Sequence, residues 1–166
     1  MKKVLLVAAA VMLALCSCAK TDLTEQIPQL KGSWLWRQTV VGGVVGVINA
    51  DDENEFVLTF GNDNKISISL NGEIVVSGET YSCKKTSGNE YGDYVISLPK
   101  EIRNKVGQCL DLPENNVVVD GYIRFNSCNM NDESVSLIVT DVKSENMGVE
   151  GGVDFHRSSV FFPAVL

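Results

Sequence analysis

Alternation of apolar and polar residues with a period of two is the feature that most constrains this chain, and it dominates from residue 33 onward. It is clearest at residues 65–70, where Ile66, Ile68 and Leu70 alternate with polar neighbours. Because successive side chains of a strand point to opposite faces, this pattern predicts strands with one buried face. Comparable runs occur at residues 34–41, 56–60, 73–77, 81–83, 94–98, 117–125, 135–140 and 153–157.

Short turn sequences separate these runs. Residues 61–64 read Gly-Asn-Asp-Asn, and Asn71-Gly72 is a strong hairpin signal because both residues tolerate a positive φ. The series is broken where Lys100–Gln108 predicts one or two helical turns. Eight or nine strands in this arrangement predict an all-β fold, either a β-sandwich or an antiparallel up-and-down β-barrel, with a short helical insertion near residues 100–110.

The amino terminus has the pattern of a secretory signal. Lys2 and Lys3 precede an uninterrupted apolar run from Val4 to Leu15, which suits a signal peptide and is too short to span a bilayer. The following Leu-Cys-Ser-Cys resembles the bacterial lipobox, with Leu15 three positions before Cys18 and a small residue directly before it. The resemblance implies cleavage after residue 17 and acylation of Cys18, for example by palmitate.

The expected organisation is a signal peptide at residues 1–17, a lipid-anchored tether at 18–31 and a barrel domain at 32–166. More than one acyl chain would give a stable membrane anchor, since each buried CH₂ contributes roughly 0.8 kcal/mol. The expected location is the outer membrane of a Gram-negative cell envelope. Both a periplasmic and a surface-exposed position of the domain are compatible with the sequence.

Composition excludes several classes of function. The net charge of −7 argues against nucleic-acid partners, which require a basic face to displace counterions. His156 is the only histidine, so multi-histidine metal sites are excluded, and no metal or cofactor is predicted. Residues 51–53 are acidic but lack the spacing of a calcium loop. Neighbours of His156 point to alternate faces and form no catalytic triad, so no enzymatic activity is predicted.

A Gly-x-Trp motif, Gly32-Ser33-Trp34, stands just before the first predicted strand. With Leu58-Thr59-Phe60, Asn71-Gly72 and the strand order that follows, it resembles the lipocalins, and more closely the small lipocalin-like bacterial lipoproteins. The resemblance covers roughly residues 30–158. It implies a closed barrel whose interior holds a small hydrophobic ligand.

The resemblance also implies structural roles for three residues. Gly32 and Trp34 form the motif, and Trp34 plugs the closed end of the barrel. Arg157, from the last strand, is expected to lie across the indole, with Arg124 as the second candidate. A guanidinium over an indole contributes roughly 0.5–2 kcal/mol.

Large apolar side chains expected to face the interior are the predicted ligand walls. They are Trp36, Phe56, Phe60, Ile66, Ile68, Ile96 and Phe125. The loop at residues 41–54 begins with a glycine-rich but apolar stretch, which predicts either a gate over the ligand or a cap on the core.

Two other functions compete with the ligand carrier. In the first, the barrel is filled by its own side chains, and its acidic surface or a loop binds another envelope protein or a host molecule. The apolar tail at residues 160–166 favours this if it is exposed, whereas it packs as a final strand in the alternative interpretation. The second is an enzyme that uses Cys83.

The cysteine count predicts one disulfide. If Cys18 carries lipid, three thiols remain in an oxidising compartment. Cys109 and Cys128 flank the predicted strand at 117–125 and are the expected pair, with a stabilisation of roughly 3 kcal/mol. Cys83 is then either a buried small hydrophobe or a reactive thiol.

Overall fold

The computed structural model describes residues 24–42, 46–50, 54–109, 117–127, 135–145 and 153–164. Ten strands belong to one antiparallel sheet. They are β1 (Gly32–Val41), β2 (Gly46–Asn49), β3 (Phe56–Phe60), β4 (Lys65–Leu70), β5 (Glu73–Thr80), β6 (Ser82–Lys85), β7 (Tyr94–Ser97), β8 (Gly121–Ser127), β9 (Val135–Glu145) and β10 (Val153–Pro163). A 3₁₀ turn at Pro28–Leu30 precedes β1, and one α-helix, α1 (Lys100–Cys109), follows β7. No helix among these residues is long and apolar enough to span a membrane.

The sheet is a curled half-barrel. Nine strands follow the order β5-β4-β3-β1-β10-β9-β8-β7-β6, and the short β2 pairs with β1 beside that path. The first long strand therefore pairs with the last, as an up-and-down barrel requires, and the path ends at β5 and β6. The prediction of an all-β antiparallel barrel with a short helical insertion is confirmed.

The helix packs against β5 at this seam between the two end strands. Ile102 and Val106 are one helical turn apart and are both buried, because residues separated by four positions share a helix face. In a closed barrel, β5 and β6 would pair with each other and cover this edge of the core. Here the apolar face of α1 covers it at β5.

Both predicted hairpins are present. Asp63 and Asn64 have φ of 55° and 54°, and the Lys65 amide donates to the Asn62 carbonyl at 3.2 Å. Asn71 and Gly72 have φ of 52° and 77° and join Leu70 to its cross-strand partner Glu73. Local turn chemistry therefore fixes the register of β3, β4 and β5.

The predicted strand at residues 117–125 begins only at Gly121. The preceding Val117, Val118 and Val119 are all buried, which a strand with one solvent-facing side does not permit. The Val118 amide donates to the Ser159 hydroxyl at 2.7 Å, so this segment folds over the inner face of the sheet. We call residues 117–120 the plug segment.

The loop at 41–54 and the apolar tail are both incorporated into the sheet. Residues 46–49 form β2 and pair with residues 38–41 of β1, while residues 43–45 and 51–53 lie outside the described residues. The tail forms the end of β10, where Phe161 is fully buried and pairs with Trp36. The prediction of a final packed strand is therefore correct up to residue 163.

Candidate functional site

The structure brings the predicted wall residues together in one core. Six of the seven side chains are between 0% and 3% exposed, and the seventh is partly buried against them. The six are Trp36, Phe56, Phe60, Ile66, Ile68 and Ile96, and the seventh is Phe125. Such low values leave little room for a water molecule beside these side chains, so they pack against protein atoms.

The Gly-x-Trp motif has a local physical explanation. Trp34 is buried, its indole Nε1 donates to the Leu30 carbonyl at 2.8 Å, and its ring centroid lies 6.1 Å from that of Phe125. Gly32 has a φ of +119°, a region that favours glycine. The glycine thus permits the bend between the 3₁₀ turn and β1 that places Leu30 against the indole.

The structure does not bring Arg157 to Trp34, so the expected stacking is wrong. Arg157 pairs with Val41, whereas Trp34 pairs with Pro163, and these positions are about 20 Å apart along the strand. Arg124 is also not a partner, because it points away from the core and its guanidinium donates to the Glu90 carbonyl. The indole is held by a carbonyl and an aromatic ring.

The inner face of β1, β10 and β9 instead changes from aromatic to polar to charged. Cross-strand pairing places Trp36, Phe161 and Leu137 in one row. The next inward row is Thr39, Ser159 and Val139, and the one after that is Val41, Arg157 and Asp141. Ionic side chains therefore lie at the end of the half-barrel opposite Trp34.

A hydrogen-bonded chain occupies the middle of this gradient. The Trp36 indole donates to the Thr39 hydroxyl at 3.1 Å, and the Thr39 and Ser159 hydroxyl oxygens are 2.7 Å apart. Ser159 also accepts from the Val118 amide. Both hydroxyls are fully buried, so these bonds offset the cost of removing them from water and attach the plug segment to the sheet.

Beyond this chain, an open cleft of about 340 Å³ lies between α1, the plug segment, β7 and the middle of β9 and β10. We call it the charged cleft. Its apolar lining consists of Val95, Ile96, Val106, Val117, Val118 and Val119. Two ion pairs among the described residues also line it. Arg103 lies 3.4 Å from Asp120, and Arg157 lies 3.6 Å from Asp141, measured between nitrogen and oxygen.

The two carboxylates of the charged cleft influence each other. Burial raises the pKa of Asp120 above its ordinary value of 3.8, and the charge of Asp141 adds to this increase. Arg103 and backbone amide donors act in the opposite direction but do not cancel it. The surroundings of Asp120 thus favour its neutral form more than water does, and positive charge nearby favours the carboxylate.

Cys83 has the environment of a structural side chain. It is fully buried, and burial, followed by the Glu25 carboxylate, raises the pKa of its thiol to about 11. A thiol with this pKa is almost entirely protonated at neutral pH and is a weak nucleophile. The interpretation as a buried small hydrophobe is favoured over the reactive thiol.

Other predicted positions are only partly described. The ring centroids of His156 and Tyr91 are 5.8 Å apart. The imidazole also lies against Gly42, where an added Cβ would be 2.5 Å from its Cε1 atom. Cys18, Cys128 and the side chain of Cys109 lie outside the described residues, so the lipid site and the disulfide stay predictions. Among the residues that are described, no three His, Cys, Asp or Glu side chains form a metal-binding group.

Comparisons with family models, curated proteins and solved structures find no match for this chain.

The charged cleft is a feature that the sequence analysis does not predict, although the sequence contains a signal for it. Asp141 continues the inward parity of Leu137 and Val139, and Arg157 continues that of Ser159 and Phe161. A charged residue at an inward position of each of two adjacent strands indicates that the core ends there.

Proposed function

We propose that this protein is a non-catalytic binding module of the cell envelope, attached to the outer membrane by lipid on Cys18. In this proposal the barrel is a filled scaffold, and recognition takes place at the end that carries the charged cleft. The observation that supports it is the packed interior, where six of the seven predicted wall side chains are at most 3% exposed.

A ligand in the interior would have to displace side chains. Binding sites for small molecules are usually largely preformed, and separating packed apolar groups loses their dispersion contacts. The charged cleft needs no such displacement, because it is open and already has a volume within the usual range for small ligands.

The second candidate is a carrier of a small hydrophobic ligand in the barrel interior. One observation favours it: β5 and β6 end the sheet path without pairing to each other, and α1 packs against β5 at this seam. Displacement of the helix would give access to the core, and the two candidates therefore differ in whether apolar molecules reach the tryptophans.

Titration with palmitate and with 1-anilinonaphthalene-8-sulfonate separates these candidates. We would use residues 18–166 carrying Cys18→Ser and follow the emission of Trp34 and Trp36, which both lie in the core. The filled scaffold predicts no saturable change, while unfolding in urea shifts the emission and shows that the indoles respond. Saturable one-to-one binding of palmitate with a blue shift would establish the carrier instead.

The lipid anchor is tested by comparing two neighbouring cysteines. Cys18→Ser is expected to move the protein from the membrane fraction to the soluble fraction and to abolish labelling by a palmitate analogue. Cys16→Ser is the matched control. The residue directly before Cys16 is Leu15, whereas the lipobox has a small residue there and its leucine two positions earlier. Loss of labelling in Cys16→Ser but not in Cys18→Ser, or in neither, contradicts the assignment.

A further inference from the structure

We propose that the free edge of β5 binds an extended, basic segment of a partner polypeptide, which adds a strand to the sheet. This inference goes beyond the proposed function, because it assigns a second surface whose lining residues are all different from those of the charged cleft. It is argued from the strand pairing, from the groove beside β5 and from the charges around that groove.

The strand β5 is paired along only one of its two edges. It spans Glu73–Thr80, pairs with β4 and stands at one end of the sheet path. No strand among the described residues pairs with its other edge. Six of its eight residues are exposed, and Ile74 is 66% exposed. The free edge therefore presents backbone donors and acceptors that a further strand can use.

The turn at Pro99 explains why β7 does not cover this edge. One residue separates β5 from β6, and Ser82 of β6 pairs with Ser97 of β7. The same ladder, continued by two residues, would place Pro99 opposite Thr80. Proline has no backbone N–H for such a ladder. The chain instead turns into α1, where the Ile102 amide donates to the Pro99 carbonyl at 3.0 Å.

A groove of about 340 Å³ runs between β5 and the first turns of α1. Val76 and Ser77 both line it. Because consecutive residues of a strand point to opposite faces, a groove that touches both residues lies at the edge of β5 and not over one face. Val76 and Ile102 form its buried floor, and Pro99 is exposed on its rim. Apolar side chains of a bound segment would lose water-exposed surface here and at the exposed Ile74.

The charges beside the edge favour a basic partner. Glu79 and Glu101 line the groove, and Lys105 is the one basic residue among the described residues that line it. Beyond residue 23, the segments outside the described residues contain acidic residues but no lysine, arginine or histidine. These segments therefore cannot add positive charge to the groove. The net charge of −7 also attracts basic segments over a longer range.

A second copy of this chain is a less suitable occupant of the edge. Pairing of β5 with another β5 would bring Glu73 and Glu79 of both copies into one small ladder, where like charges destabilise cross-strand pairs. It would also bring together two chains that are both acidic. The charges therefore favour a different partner, with basic residues and with apolar residues at alternate positions.

Fluorescence anisotropy with labelled peptides and the full chain, purified in a non-ionic detergent, tests the proposal. The probe is a peptide of alternating lysine and valine with the length of β5. In the first control peptide, glutamate replaces lysine. The second control keeps the lysine–valine sequence but is N-methylated at every backbone nitrogen, so it cannot donate to β5. We expect the probe to bind saturably and each control to bind at least about tenfold more weakly.

Hydrogen exchange followed by mass spectrometry locates the binding site. Amides of β5 that point away from β4 have no strand partner among the described residues, and a bound strand should slow their exchange at least about tenfold. Residues 32–41 are the internal control. They form β1, which is paired on both sides, so the peptide should leave their exchange unchanged.

Charge reversal in the groove provides a further arm. The double variant Glu79→Lys/Glu101→Lys should bind the lysine–valine probe about tenfold or more weakly and should bind the glutamate–valine peptide more tightly. Glu55→Lys/Glu90→Lys is the matched control, because these two glutamates are also exposed but do not line the groove. Melting curves verify that both variants fold, and the peptide comparison on the unaltered protein does not depend on them.

The proposal is overturned if the probe does not bind at about 1 mM, if the N-methylated peptide binds equally well, or if exchange in β5 does not change on binding. Equal weakening by the groove variant and its control would also overturn it, because attraction to the whole acidic surface would then explain the binding. A dimer in sedimentation, with β5 amides protected before any peptide is added, would show that the occupant is a second copy.

Discussion

Replacement of Phe161 by alanine is expected to lower the free energy of unfolding by about 3–5 kcal/mol. Phe161 is fully buried and lies between Trp36 of β1 and Leu137 of β9. Removing the ring leaves a void where the first and last strands meet, and packed neighbours fill such a void only in part. Urea unfolding followed by tryptophan emission measures the change.

Phe162→Ala is the control for this substitution. Phe162 is the next residue of β10 and points to the opposite face, where it is only half-buried. Its replacement should cost clearly less than that of Phe161, because water can occupy the space that the ring leaves. Equal losses in the two variants would contradict the assignment of the Phe161 face to the core.

Replacement of Gly121 by alanine is expected to destabilise the protein by about 3 kcal/mol or more, through backbone strain and a steric clash together. Gly121 has a φ of +137°, and a Cβ at this position would lie 2.3 Å from the Thr140 carbonyl oxygen. Because the clash is with backbone, a side-chain rotation cannot relieve it. Thermal unfolding of the variant beside the unaltered protein measures the effect.

Gly32→Ala separates the two causes. Gly32 has a similar φ of +119°, but a Cβ there would meet no atom within 4 Å. This variant should therefore show only the strain, about 1–3 kcal/mol, and should be the less destabilised of the two. If Gly32→Ala lowers the stability as much as Gly121→Ala does, the steric clash with the Thr140 carbonyl does not contribute to the destabilisation of Gly121→Ala.

The parts of the fold that the sequence predicts correctly are those with local causes. The alternation at residues 65–70 depends only on neighbouring side chains, and it yields β4 with Ile66 and Ile68 fully buried. The turn at Asn71-Gly72 depends on the φ preferences of two residues. Strand identity and hairpin register follow from such short-range preferences.

Features that depend on distant residues were not predicted. The sequence of the plug segment predicts the start of a strand, because valine favours strands. Its actual position depends on the hydrogen bond from the Val118 amide to the Ser159 hydroxyl, and Ser159 belongs to the distant strand β10. The placement of Arg157 depends on the pairing of β1 with β10, which includes a register shift between Trp36 and Gln38. A resemblance based on residue order carries no information about that register.

The pairing of β1 with β10 has a consequence for biosynthesis. The Thr39–Ser159 contact spans 120 residues, so the strand made first gains this neighbour only after nearly the whole polypeptide has been translated. Contacts of such long sequence separation slow folding, and β1 presents an unpaired edge until β10 arrives. Until β10 is added, this unpaired edge is open to pairing with other chains, which makes the incompletely folded protein prone to aggregation.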